Sequence, residues 1–330
     1  MNKIKKINII YCITVLISIF GSFFTSYIYL ITKNMVYTLL TSQVLLIIPA
    51  LVYIISNKFD LHKTIRFHKL KISNILLIII FSYLSIPLMT LINLISMLFV
   101  KNNIQNTVEV IINENPLYIS LFSIALIPCI FEETVYRGIF YNEYRKVNVI
   151  NGMLLSALLF ALLHMNFNQF FYAFIMGIIF VILIEATDSI FSSMIMHFVI
   201  NGTSVFNVYM LPKLQDMLKE VDPEYSRDLA DSLNTNYTRT ELLVSISSLW
   251  PIVLITTIFA AVILLAIAKN SNRIEHIKAI FRGERLTEIE SDEETYSYDA
   301  DESKNSRLIT LSLIIGIVIC LVFMFLGEIL

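Results

Sequence analysis

The chain has 330 residues, 57% of them hydrophobic and only 15% charged, with a mean hydropathy of +0.74 and a formal net charge of −2. That much apolar side chain does not fit inside one water-soluble core, so the composition predicts an integral membrane protein. The near-neutral charge, with basic residues confined to loops between apolar runs, excludes a general affinity for nucleic acid.

In chain order, Lys3, Lys5 and Lys6 precede an apolar run over residues 7–31. This run is longer than a signal-peptide core and has no small-residue cleavage site, so it reads as a retained first span. Further runs of about 20 residues, the length that crosses a bilayer, cover 36–56, 73–100, 117–141, 147–165, 168–186, 189–210, 242–268 and 308–327. Lipid-exposed backbone must close its hydrogen bonds within each segment, which predicts an all-α, polytopic bundle of about nine transmembrane helices. The expected organisation is three N-terminal spans and a basic loop over 1–116, and a core of spans four to seven over 117–210. An outer polar loop (211–241), an eighth span (242–268), an inner loop (269–307) and a ninth span (308–330) follow.

Nine alternating spans place four basic groups on one side: the N-terminal lysines, Lys58, Lys63, Arg66, Lys69 and Lys71, then Arg145 and Lys146, then Lys269, Arg273, Lys278, Arg282 and Arg285. The positive-inside rule makes that side cytoplasmic, with the N-terminus inside and the C-terminus outside. The outer loop has helical periodicity broken by Pro223 and is expected as an amphipathic cover on the membrane surface. The inner loop ends in SDEETYSYDADES, an acidic stretch expected to be solvated and disordered. Cys12, Cys129 and Cys320 lie in apolar runs, form no C-x-x-C pair and read as small core hydrophobes.

The fourth run holds Glu132, Glu133 and Arg137 at bilayer depth. A charge there costs roughly 2.5–3.5 kcal/mol on insertion scales, so such residues read as functional with a named partner. Glu133 and Arg137 stand at i and i+4, where opposite charges meet on one helix face. Glu132 lies about 100° away around the helix and is the spare acid. His62, His68 and His276 sit in basic loops and read as solvated surface histidines, whereas His164 and His197 sit in apolar runs.

Hairpin geometry tests whether these groups meet. With a turn near Asn148, Glu132 and His164 are each 16 residues from it, or roughly 24 Å along antiparallel helices. With the next inner turn near Asp188, His197 and Asn201 rise roughly 13 and 20 Å on a shared face. All four are thus expected around one buried cavity. A glutamate there can activate water, most effectively when burial lifts its pKa toward neutrality. A neighbouring histidine can orient that water and shuttle its proton. A second histidine and an asparagine suit a developing oxyanion. The set suits amide hydrolysis inside a membrane.

E-E-x-x-x-R at Glu132, Glu133 and Arg137, F-x-x-x-H at Phe160 and His164, and H-x-x-x-N at His197 and Asn201 resemble the three motifs of the CPBP family. This family, also called Abi, groups type II CAAX prenyl endopeptidases with bacteriocin-processing and self-immunity proteins. The resemblance covers residues 117–205 and implies a bacterial cell-membrane intramembrane endopeptidase acting on a membrane-associated peptide or protein. It implies that Glu132 activates water beside His164, that His197 and Asn201 form the oxyanion site, and that Arg137 holds Glu133 as structural support. Phe160 reads as packing. The family label of metalloendopeptidase leaves Zn²⁺ open, with Glu132, His164 and His197 as its ligand set and a fourth position free. Asn201 beside the second histidine favours a mechanism that needs no cofactor.

Two readings from other classes stand beside this one. In a transporter or proton relay the same groups would carry protons, although no paired broken helices in matching halves mark a transport site. A non-catalytic immunity or adaptor protein would keep the site without turnover. Substrate identity, prenylation and oligomeric state are not legible in the sequence.

Overall fold

The computed structural model describes residues 2–57, 65–102, 104–226, 237–284 and 307–329. Among them there is no strand, and the chain is a polytopic helical bundle, as the apolar runs require. In order the helices are α1 (Lys3–Thr32), α2 (Met35–Asn57), α3 (Ile72–Met97) and α4 (Ile104–Glu114). A long composite helix, α5 (Leu117–Tyr144), is followed by α6 (Val149–Leu163), α7 (Phe167–Thr187) and α8 (Ile190–Val221). The last are α9 (Arg239–Asn270), α10 (Ile274–Phe281) and α11 (Leu311–Ile329). Eight of these are long and apolar enough to cross a membrane, and the chain is an integral, multi-pass membrane protein.

The expected fifth crossing, over 147–165, differs. It is α6, with only 15 residues, roughly 22 Å long against a hydrocarbon core of about 30 Å. It stops early because two helix ends crowd into four residues. His164 caps α6, Met165 takes a left-handed conformation with φ 49°, and the Asn166 side chain already accepts from Gln169 N to start α7. Two other boundaries shift. Helix α8 runs through Pro212 to Val221, so residues 211–221 extend the seventh span instead of forming a separate cover. The chain then leaves the helix at Asp222, immediately before Pro223. Helix α4 is an additional short element between the third and fourth runs.

The basic loops do converge at one end of the bundle. Glu185, at the end of α7, receives Arg66 Nη1 at 2.7 Å, Arg145 Nη2 at 3.1 Å and the Tyr141 hydroxyl at 2.7 Å. His276 Nε2 lies 2.6 Å from Oε2, the oxygen that Arg145 Nη2 also reaches, and Arg273 Nε donates to the Glu185 carbonyl. Arg66 also pairs with Asp188, and His68 Nδ1 lies 2.8 Å from the Asp188 carboxylate. Histidines 68 and 276 are therefore ion-network members: His276, on α10, is largely buried, whereas His68, in the loop before α3, stays about a third exposed, because both segments fold back onto the acidic α7–α8 turn. Asn8 near the start of α1 joins the same end, accepting from the Tyr144 hydroxyl and donating to the Leu308 carbonyl. Lys58, His62, Lys63, Arg285 and the acidic stretch at 291–303 lie outside the described residues, as does 227–236 of the outer loop. Cys129 and Cys320 are buried and Cys12 half-buried, all as free thiols.

The core that positions the site is α5 to α8, with α2 and α1 laid against it. Tyr136, Phe140, Phe160 and Ile184 belong to one buried apolar cluster with Ile7, Tyr11, Leu46 and Tyr53 from the first two helices.

Candidate active site

Helix α5 is not uniform. A π-helical stretch, Leu121–Leu126, precedes the α-helical Ile127–Glu133, and a second, Thr134–Tyr141, begins directly after the glutamate pair. Such widened turns recur at functional sites because they re-aim side chains within a continuous helix. Here the junction falls between Glu133 and Arg137.

The pair predicted from i, i+4 spacing is present. Arg137 Nη1 donates to Glu133 Oε1 at 2.9 Å, and both side chains are fully buried. The guanidinium lies over the Phe160 ring, 4.2 Å from its centroid, and 4.9 Å from that of Phe180. Two aromatic faces thus stabilise a cation that burial would otherwise penalise. Phe160 packs as expected and does more, since its ring edge-contacts both His164 and Tyr136.

Glu132 points elsewhere, as its angular offset predicts. It lines a cavity of about 230 Å³ together with His164, Phe160 and Tyr136. His164 Nδ1 lies 2.9 Å from the Phe160 carbonyl; a carbonyl only accepts, so Nδ1 carries the proton and Nε2 is left available. His197, on α8, approaches from the other side. Its Nε2 is 3.9 Å from Glu132 Oε2, its Nδ1 is 3.0 Å from Glu133 Oε1, and its ring stacks on Phe180 at 5.2 Å. Asn201 lies one turn further along α8 and donates from Nδ2 to the Ile124 carbonyl at 3.2 Å, beside the first π-helical stretch. Three helices therefore bring Glu132, His164 and His197 into one neighbourhood, while Asn201 borders it and spends one amide proton on the backbone.

The far wall comes from helices outside the motifs. Ser18, Gly21, Ser22 and Thr25 of α1 and Ser42, Gln43, Leu45 and Leu46 of α2 line the same cavity. Gly21 permits the approach, since a Cβ there would stand 2.6 Å from Leu45 Cδ1. Gln43 Nε2 donates to Glu132 Oε1 at 2.9 Å, so the spare acid has an amide partner that the motif spacing does not reveal. The sequence does hold a signal for it, because Gln43 is a lone amide within the apolar run TLLTSQVLLIIP, and a polar group at that depth needs a partner. Tyr136, four residues after Glu132, is the other residue missed.

Among the described residues no three His, Cys, Asp or Glu side chains are grouped as a metal ion requires. Each histidine gives Nδ1 to a protein acceptor, the outer contact that metal-binding histidines also make, and keeps Nε2 open; the Nε2 of His197 stands 3.9 Å from Glu132 Oε2.

Residues 114–203 match the family model described as type II CAAX prenyl endopeptidase Rce1-like. Comparison with curated proteins and comparison with solved structures each gave no match. The matched stretch holds all three motifs and ends two residues after Asn201, while α1 and α2, which close the cavity, lie outside it. Through these core helices the chain is similar to the type II CAAX prenyl endopeptidase Rce1-like family.

Proposed function

We propose that the protein is an intramembrane endopeptidase that hydrolyses one peptide bond of a membrane-associated peptide or protein, with Glu132 as the base. The observation that carries this reading is the approach of His197 Nε2 to within 3.9 Å of Glu132 Oε2, beside the cavity that Glu132 shares with His164. A polypeptide that only packed helices would have no reason to expose an acid and an imidazole in one hollow.

In the proposed reaction Glu132 takes a proton from water, and the hydroxide attacks the scissile carbonyl. His164 orients the water through Nε2. His197 donates to the oxyanion from Nε2 as the imidazolium, with its Nδ1–H held by the Glu133 carboxylate, and the second amide proton of Asn201 joins it; one such donor is typically worth 10²–10³ in rate. Glu132 then returns the proton to the leaving amine as the carbon–nitrogen bond breaks. No step needs a metal. The basic end of the bundle around Glu185 is assigned to the cytoplasm of a bacterial cell, with the C-terminus of α11 outside.

The test uses the purified full-length protein in liposomes and fluorogenic peptides ending in a Cys-aliphatic-aliphatic-X sequence, with and without a farnesyl group. Cleavage is expected to disappear in Glu132→Ala and Glu132→Gln and to persist for the wild type in excess chelator. Unchanged cleavage by Glu132→Ala rejects the assignment. Proton or solute flux without cleavage, lost in the same variants, favours a relay instead.

A further inference from the structure

Among the described residues, two polar atoms in the cavity wall have no hydrogen-bonding partner: Gln43 Oε1 and the Tyr136 hydroxyl. Both side chains are more than nine-tenths buried, at 7% and 1% exposure, and both line the cavity beside Glu132. The first atom can only accept, and the second carries a proton to donate. Gln43 Nε2 donates one proton to Glu132 Oε1, which fixes which way the amide oxygen faces.

The surrounding wall is biased the same way. The hydroxyls of Ser22, Thr25 and Ser42 already donate to the carbonyls of Ile19, Ser22 and Leu39, which leaves only their lone pairs for an occupant. Among the described residues no lysine or arginine lines the cavity. Leaving buried donors and acceptors unpaired is unfavourable, and the two complements, one donor and one acceptor, occur together in one chemical group. A peptide unit carries one N–H and one C=O.

We propose that Gln43 and Tyr136 form a subsite for a main-chain amide of the substrate, whose N–H donates to Gln43 Oε1 and whose carbonyl accepts from the Tyr136 hydroxyl. This inference rests on the endopeptidase reading and deepens it. It assigns recognition of the peptide backbone to α2 and to a tyrosine between the motif letters, whatever side chains the substrate bears. With no cation among the described lining residues, the wall favours a neutral peptide unit in the interior of a chain over a free carboxylate.

Binding is measured apart from hydrolysis, by fluorescence anisotropy on full-length Glu132→Gln protein in nanodiscs. The probe is a labelled peptide ending in a farnesylated cysteine and three further residues. A first series replaces one backbone amide at a time by an ester, which lacks the N–H; a second replaces one carbonyl by a thioamide, a poorer acceptor. One ester position is expected to weaken binding about 10-fold, the scale of one neutral hydrogen bond, and to lose that penalty when Gln43→Met is added. One thioamide position should behave likewise with Tyr136→Phe, a change that keeps the ring and its packing. Penalties that persist in full in both variants, or a parent peptide that does not bind, overturn the subsite. Cleavage of the parent peptide by the wild type without such coupling removes the subsite alone. Coupled binding without wild-type cleavage removes the endopeptidase reading alone.

Discussion

His197 Nδ1 and Arg137 Nη1 both reach the same oxygen, Glu133 Oε1, at 3.0 and 2.9 Å. The second glutamate of the first motif therefore does more than neutralise its arginine. It sets the rotation of the imidazole whose other nitrogen faces Glu132. Replacing Glu133 by Gln keeps the volume and weakens both contacts. The expected result is a fall in kcat on the order of 10–100-fold, the usual cost of losing a group that orients a reacting one, with KM little changed. A folded Glu133→Gln enzyme with kcat within about twofold of the wild type would remove this role.

Arg137 closes the same arrangement from below. Arg137→Met leaves the Glu133 carboxylate buried without its cation, a change that typically costs about 3–5 kcal/mol. Arg137→Lys should recover only part of this, because an ammonium cannot lie flat between the Phe160 and Phe180 rings. Thermal unfolding in detergent should rank wild type above Arg137→Lys above Arg137→Met. Equal Tm for Lys and Arg would show that charge alone matters.

Gly177 sets how closely α7 approaches α6. A Cβ at this position would lie 2.8 Å from both Cα and Cβ of Ala157 and 3.2 Å from Arg137 Nη2. Gly177→Ala must push apart the two helices whose junction carries His164, at a cost of about 1–3 kcal/mol typical of overpacking. Ala157→Gly in the same chain relieves only the side-chain half of the clash, so partial recovery of Tm and activity is expected. Full activity in the single variant would contradict the close approach.

The α7–α8 turn gives a stability dependence on acidity. Burial alone would raise the Asp188 carboxyl, but Arg66, with Arg273 and His68 beyond it, holds it below its ordinary value. Because the folded-state value is depressed, the stabilisation is complete above the unfolded carboxylate pKa of about 3.9 and fades as pH falls through the lower folded value. The Tm gap between wild type and Asp188→Asn should stay constant from neutral pH down to about 5 and narrow below about 4. A gap that closes nearer neutrality would point to His68 instead.

Much of the core was legible because it depends on spacing along single helices. The Glu133–Arg137 pair, the offset of Glu132 and the shared depth of Glu132 and His164 all follow from the helical repeat and the position of one turn. The cavity wall from α1 and α2 was not legible, since helix-to-helix neighbours far apart in sequence leave no periodic trace in uniformly apolar runs. Gln43 showed only as a polar residue out of place. The His68 and His276 contacts escaped for a related reason: a basic loop reads as solvated until the acid it folds onto, here Glu185 or Asp188, is known. The early end of α6 was written in Asn166, whose capping preference competes with the hydropathy of the run around it.

That early end has a physical corollary for the surrounding lipid. A 15-residue rod is short by roughly 8 Å of the hydrocarbon it stands in, and such hydrophobic mismatch is relieved by local thinning of the leaflet. His164 caps the tip of the rod, so a shortened hydrocarbon path there would be centred on it. Hydrolysis consumes one water per turnover, and the thinned leaflet shortens that molecule's path through oil. Acyl-chain length in the host membrane thereby becomes a lever on the supply of the second reactant.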